Sequence, residues 1–420
     1  MIAAMGLSPP TTQTGGARAV ARCRELSRPP YSETDDGLFR AYLTPAHAAA
    51  CRRLGEWMRE AGMATRVDPA GNVIGRYEGS ADAPLLLIGS HIDSVRDAGC
   101  FDGPLGIMLG IELVAELAAE GKRLPFAIEV IAFGDEEGSR FPASMLTSRA
   151  AAGTLSAEAL AIADGQGVTL ETALQRFGLD AANYRAAAYP PGGVRAYFEA
   201  HIEQGPVLEA EGLPLGIVTA IAGQRRLAVT VAGTPGHAGT SAMHLRRDAL
   251  AAAAEMVLAI ERIARDGSDD LVATVGRMTV APGATNVVPG KADFTVDVRA
   301  GEDGVRDAAR DTIVAALEAV ARERDVRLSI EETQCLAASP CDPTLADRLA
   351  LAVAATGQAP RRLVSGAGHD AMVMAALAPM AMLFIRCTGG ISHNPAEDVL
   401  VSDVDKALEA MLGFVEGLAE

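Results

Sequence analysis

Apolar positions along this chain show two textures. Apolar runs at 84–89, 126–133 (broken only by Glu129) and 380–385 lack alternation, as strands covered on both faces do. The run Leu85-Leu86-Leu87-Ile88 is the clearest, and a shorter strand is expected at 72–77. A helical period spans 25–62, with Thr44-Pro45 reading as an N-cap followed by Pro at the first helical position. Further helices are expected at 105–120, closed by Gly121, at 342–356 and from about residue 402. These elements predict a large α/β domain.

The second texture occupies 221–334. Leu227, Val229 and Val231 alternate with smaller or polar residues, the sign of a half-exposed strand. A helix at 247–264, strands at 271–280 and 292–298, a helix at 305–324 and a strand at 327–331 follow. This β-α-β-β-α-β order predicts a small α+β sandwich with one open sheet face, inserted into the larger domain. The expected organisation is a discontinuous domain at 1–220 and 335–420, an inserted domain at 221–334, and a flexible Thr/Pro/Gly-rich tail within 1–20.

Bulk properties narrow the function. A chain of 420 residues can bury a large core and divides naturally into two domains. Its net charge of −17 argues against a nucleic-acid backbone or an anionic membrane as partner. No apolar run approaches the roughly 18 residues of a membrane span. The six cysteines form no C-x-x-C pair and no disulfide framework, so a reducing cytoplasm is the expected setting. Cys100, close to the acidic motifs, reads as a small buried residue.

The chemistry lies in the histidines. There are seven, and three belong to short motifs that also carry acids or amides: Gly89-Ser90-His91-Ile92-Asp93, His201-Ile202-Glu203-Gln204 and Ser392-His393-Asn394; a fourth stands in Gly236-His237-Ala238-Gly239. Neutral imidazole nitrogen and carboxylate oxygen suit zinc, manganese, cobalt and nickel. The three buried strands each deliver a candidate just past their C-terminal ends, where open α/β sheets bind ligands. After the first, His91 is a metal ligand, and Asp93 shares its side of the strand and orients the imidazole. Asp102 follows in Phe101-Asp102-Gly103, and its two oxygens can bridge two ions. After the second, Glu136 and Glu137 are adjacent acids that repel and lose hydration, a costly arrangement without a nearby cation. Glu137 is the ligand and Glu136 the general base. With His201 and His393, two three-ligand shells share Asp102: His91/Asp102/His201 and Asp102/Glu137/His393. Paired ions about 3.5–4 Å apart are the usual hydrolytic arrangement. In the inserted domain, Gln224, His237, Asn286 and Arg299 stand at strand ends or turns, and the forked guanidinium of Arg299 fits a substrate carboxylate.

In order, these motifs resemble the amidase/hydantoinase/carbamoylase branch of the dinuclear metallopeptidases that include aminoacylases and carboxypeptidase G. The likeness runs from about residue 22 to the C-terminus. It includes 89–93, 101–106, 136–138, 201–205, 236–239 with Arg246-Arg247-Asp248, 286–290, 365–370 and 389–395. The segment at 385–393 looks most like allantoate amidohydrolases, since N-carbamoyl-L-amino-acid hydrolases tend to carry Pro-Ser where this chain has Arg386-Cys387. The resemblance implies a zinc-peptidase-like α/β catalytic domain with an inserted βαββαβ dimerisation or lid domain. It implies two divalent metals on His91, Asp102, Glu137, His201 and His393, manganese being favoured, with Glu136 as base. It further implies substrate contacts from Gln224, His237, Asn286 and Arg299, and a homodimer in which the histidine can reach a neighbouring site. The expected reaction is hydrolysis of a linear ureido C–N bond in a small ureido acid.

Other classes fit less well. Gly366-Ala367-Gly368-His369-Asp370-Ala371 matches a dinucleotide fingerprint, but no acid stands about 20 residues on to hold a ribose. No G-x-S-x-G elbow occurs for a serine hydrolase. A non-catalytic relative would have no need of the full ligand set with Glu136.

Overall fold

The computed structural model describes residues 13–419. It resolves into two units. One comprises the described residues of Met1–Val218 with Cys341–Arg362 and His369–Glu420; the other is Thr219–Pro340 with Leu363–Gly368.

The first unit is built on a mixed sheet whose central strands are almost wholly buried. Leu85–His91, Ile128–Phe133 and Met380–Ile385 are buried at every position, which follows from runs with no polar alternation. Leu85–His91 pairs in parallel with Ile128–Phe133 on one side and Val194–Ile202 on the other. Val194–Ile202 then pairs in parallel with Met380–Ile385. The antiparallel strands Val73–Tyr77 and Leu215–Ile221 flank these four. Four parallel strands therefore release their following loops at one edge of the sheet. Val194–Ile202 has no counterpart in the sequence reading. Glu199 interrupts its apolar run, yet it is fully buried, with Ser90, Tyr197 and the Ala371 amide donating to its carboxylate.

Helices cover the sheet, and the N-terminal part differs from expectation. The tail anticipated through residue 20 is helical from Gly15: Gly15–Leu26 is capped by Thr14 and buries Ala19, Val20, Cys23 and Leu26. Arg18 and Arg22 on this helix clamp Glu112, a fully buried acid of helix Pro104–Ala119. Residues 1–12, the remainder of the anticipated tail, lie outside the described residues. The continuous helical period over 25–62 splits as well. Pro45–Glu60 is a helix with the Thr44 cap as read, but 27–44 is irregular. Buried Arg40 organises that stretch by donating to the carbonyls of Leu26 and Tyr31. No helix among the described residues is long and apolar enough to cross a membrane.

The second unit is an antiparallel sheet. Its order is Met278–Ala281, Lys291–Ala300, Gly223–Ala232, Arg327–Leu336, with Val272–Thr274 also on Lys291–Ala300. Helices Ala249–Arg265 and Asp303–Glu323 pack on one face, so Leu227, Val229, Val231, Phe294, Val296 and Val298 are buried while the intervening residues are only partly covered. The strand read at 271–280 is broken at 275–277. The segment Leu363–Gly368, expected with the large domain, groups with this unit: Ser365 accepts from the Ala222 amide and Gly366 from Arg299.

Candidate metal centre

Each metal ligand expected from the sequence sits in the first unit at the edge where the parallel strands end. His91 terminates its strand and is 2% exposed. Its Nδ1 lies 3.2 Å from the backbone carbonyl of Asp93 and 3.5 Å from that residue's Oδ1. Asp93 also serves the acidic turn. Its two carboxylate oxygens accept the amides of Glu136 at 3.0 Å and Glu137 at 3.1 Å, tying the acidic turn to the His91 strand.

Asp102 stands between two groups of ligands. Its Oδ1 lies 3.2 Å from His201 Nε2 and 3.7 Å from His91 Nε2. Its Oδ2 lies 3.3 Å from His393 Nε2, and His393 Nε2 lies 3.4 Å from Glu137 Oε1. One atom from each of His91, Asp102 and His201 falls within 4.8 Å of the others, and the same holds for Asp102, Glu137 and His393. The five residues read from the sequence are therefore brought together in the two shells described. Gly103 makes the approach feasible: its φ is +84°, and a Cβ there would lie 2.5 Å from the His91 carbonyl and 2.6 Å from its ring.

The donor set fits a cation. Both His91 and His201 direct Nδ1 at a backbone carbonyl, Asp93 and Ile202 respectively. In the neutral ring that places the proton on Nδ1 and a lone pair on Nε2. The two Nε2 atoms face each other at 3.5 Å beside Asp102 Oδ1, a buried oxygen with no hydrogen-bond partner. Three lone pairs converging in a buried space require a Lewis acid or protons.

The charges respond as such a cluster must. Burial opposes charge on Asp102, yet His201, His393 and His91 together hold its carboxyl well below the usual range. Burial likewise works against His91 cation formation, but Asp102 and Asp93 raise its pKa well above the ordinary value. Asp102 and Glu137 push His393 up to about 10. Burial, reinforced by Asp370, Glu137 and Asp93, raises Glu136 well above a normal carboxyl, with His91 opposing. Glu136 also falls within 4.8 Å of His91 and Glu137 through one ligand atom each.

Several residues around the site carried no role in the sequence reading. Gln204 Nε2 and Ser392 Oγ each donate to Asp102 Oδ2 at 2.8 Å. Gln204 and His393 hold left-handed backbones, with φ of 58° and 52°, a rare state for such residues. His369 packs edge-on against His201, ring centroids 4.5 Å apart, and with Glu199 forms a third group of convergent ligand atoms. Gln204 and Ser392 share short motifs with His201 and His393, but nothing local marks them as partners of Asp102.

In the second unit, the four polar candidates form two pairs. Gln224 and Arg299 are direct ladder partners, and both donate to Asp297. Despite its burial, Asp297 is held below the usual carboxyl range by Arg299, Arg226 and Gln224. A cleft of about 700 Å³ opens here, lined by Arg226, Arg277, Asp297 and Arg299. His237 belongs to a separate two-residue ladder opposite Val287, and the Ala238 amide bonds the Asn286 carbonyl. Lys291 pairs with Ala232 at one end of the ladder and Arg299 with Gln224 at the other, so the pairs are not brought together within this unit. The Arg386-Cys387 dipeptide is structural: Arg386 is in an ion pair with Asp403 at 2.8 Å and Cys387 is buried.

Comparison with known proteins identifies the family. The model of peptidase family M20/M25/M40 matches residues 87–417. An N-carbamoyl-L-amino acid amidohydrolase of Geobacillus stearothermophilus is 43% identical over 385 residues, covering 91% of this chain and 94% of that protein. A probable allantoate deiminase of Oryza sativa subsp. japonica is 42% identical, covering 94% and 87%. The crystal structure of a hydantoinase/carbamoylase family amidase from Burkholderia ambifaria superposes with a TM-score of 0.89 at 36% identity, covering 97% of this chain and 98% of that one. On the sequence match, the shared fold and the convergent ligand set, the chain belongs to the peptidase family M20/M25/M40.

Proposed function

We propose that this chain hydrolyses the C–N bond of a linear ureido acid, with allantoate as first substrate and an N-carbamoyl-L-amino acid or 3-ureidopropionate second. The observation that carries the reading is Asp102 standing between His91/His201 and Glu137/His393, with Glu136 at the margin. The second substrate class has its own support in the 43% identical relative bearing the N-carbamoyl-L-amino acid name.

In this reading His91, Asp102 and His201 hold one divalent ion, and Asp102, Glu137 and His393 hold another. Manganese is favoured, and zinc, cobalt and nickel also suit imidazole with carboxylate. When bound, the ions supply Lewis acidity that brings the pKa of water toward neutrality and polarises a carbonyl. Glu136 accepts a proton from the attacking water as its oxygen adds to the ureido carbonyl carbon. Glu136 then delivers the proton to the departing nitrogen, a dual task suited to a carboxyl whose pKa is raised. Asp93 keeps Glu136 in place through its backbone amide. His237 donates to the carbonyl oxygen as negative charge grows there. Arg299 pairs with the substrate carboxylate, with Gln224 beside it, and Asn286 contacts the substrate from the His237 end of the ladder.

The ladder register supports a homodimer. The Gln224–Arg299 pair and the His237–Asn286 pair leave from opposite ends of one strand pair, which spans roughly 26 Å at ~3.3 Å per residue. No small ureido acid reaches both ends, so one substrate draws the two pairs from two copies. The inserted unit is then the dimerisation surface. All six cysteines are unpaired, which accords with a cytoplasmic enzyme.

Ammonia release from allantoate, an N-carbamoyl-L-amino acid and 3-ureidopropionate, with manganese supplied, tests the reading. Turnover of allantoate above the other two is expected; turnover of none would overturn it.

A further inference from the structure

Glu397 contributes no atom to either candidate shell, yet it joins the loops that carry both. It lies five residues beyond Ser392, is 5% exposed, and reaches back across the sheet edge to the Asp102 turn. One oxygen, Oε1, accepts the amide of Phe101 at 2.8 Å and the amide of Asp102 at 3.1 Å. The other, Oε2, lies 3.2 Å from Ser392 Oγ, which in turn donates to Asp102 Oδ2 at 2.8 Å. The carboxylate therefore holds Asp102 by its backbone, while the single Ser392 hydroxyl hydrogen serves the Asp102 side chain. The fit is close: a Cβ on Gly99 would come 2.2 Å from the Glu397 carboxyl carbon.

We infer that Glu397 is a positioning residue that fixes the shared carboxylate of Asp102 for metal binding by clamping its turn to the His393 loop. The inference rests on the reading of Asp102 as a ligand of both ions. The physical reason is geometric. Asp102 must present Oδ1 to two imidazoles and Oδ2 to a third, and its loop has no sheet partner to set that angle. Hydrogen bonds to ligating carboxylates act in this way, and their loss typically weakens metal binding about 10- to 100-fold.

Substitution separates positioning from charge and from simple packing. In E397Q the amide oxygen still accepts both backbone amides. In E397D the carboxylate is kept but is one methylene short of them. Manganese is titrated into the metal-free parent and both variants, and its dissociation constant and stoichiometry are read by calorimetry. The expected result is a dissociation constant about 10- to 100-fold higher in E397D and within about threefold of the parent in E397Q. Parent-like manganese binding in E397D overturns the inference. So does an E397Q as weak as E397D, because charge rather than reach would then be at work. If E397D does not fold, E397A takes its place: it removes both acceptor oxygens and leaves Ser392 bonded to Asp102, and unchanged manganese affinity there overturns the clamp. A parent that takes up no manganese sinks the ligand reading itself, a failure distinguished by appearing before any substitution.

Discussion

The Nε2 atoms of His91 and His201 face each other at 3.5 Å, each ring having committed its Nδ1 to a backbone carbonyl. Two lone pairs so placed repel, and the buried Asp102 Oδ1 beside them adds a third acceptor. Without a cation the rings must take up protons. The raised pKa values of His91 and His201, set by burial against the stronger pull of Asp102, express that demand. A metal ion answers it by replacing the protons.

Metal removal therefore has a defined signature. Chelation should abolish turnover and lower the melting temperature, and manganese should restore both. At a hundredfold excess over Kd, binding to the folded state alone adds about 2.7 kcal/mol. Because the ion displaces protons, its affinity should rise between pH 6 and pH 8. Calorimetric titration at several pH values checks this, and an affinity independent of pH would contradict the tautomer assignment.

Glu136→Gln keeps size and backbone contacts but removes the base. Metal content and melting temperature should match the parent, while kcat falls by about 10²–10⁴-fold. A variant with near-parent kcat would remove Glu136 from the proton-transfer role.

Arg299→Ala should raise KM for carboxylate-bearing substrates about ten- to a hundredfold, the worth of a charged hydrogen bond, with metal content unchanged. His237→Ala should lower kcat instead. Because the two residues leave from opposite ends of one ladder, the proposed dimer makes a sharper forecast. Mixed and reassociated, the two impaired variants should form hybrids with one intact site, recovering about a quarter of parent activity for random pairing of a two-fold dimer. No recovery from stable hybrids would place both residues at the same copy's site.

Fold stability carries its own pH signal, from His47. The ring is fully buried, accepts the Leu43 amide on Nδ1 and lies edge-on to Tyr42. Burial lowers its pKa to about 3. The unfolded imidazole titrates near 6.5. Between these values the unfolded chain binds the extra proton, so this contribution is complete above about pH 6.5 and is lost as pH falls toward 3. H47Q should flatten the stability profile over pH 4–6 by up to about 1.4 kcal/mol per pH unit. Urea denaturation at pH 4, 5, 6 and 7 measures it; parallel profiles for parent and variant would contradict the assignment.

The elements most legible in the sequence were those with one dominant cause. Leu85–His91 and Met380–Ile385 announce themselves through unbroken apolar runs, and the ligands at their ends follow from where parallel strands stop. Val194–Ile202 was hidden because Glu199 breaks its pattern, and only tertiary partners such as Ser90 and Tyr197 make a buried acid tolerable there. The start of helix Gly15–Leu26, through residue 20, reads as tail because it opens on two glycines after a Thr/Pro-rich stretch, whereas packing of Val20, Cys23 and Leu26 decides the matter. Gln204, Ser392 and Glu397 were illegible for a related reason. Their significance lies in contacts with Asp102 across 102, 290 and 295 residues of chain, which no local pattern encodes.

The central claim is that one carboxylate, Asp102, serves two ions. Metal analysis after manganese loading and gel filtration tests it most directly. The proposed arrangement predicts two equivalents per chain in the parent and less than one in D102A, with the fold retained by circular dichroism. Two equivalents in D102A, or none in the parent, would contradict it.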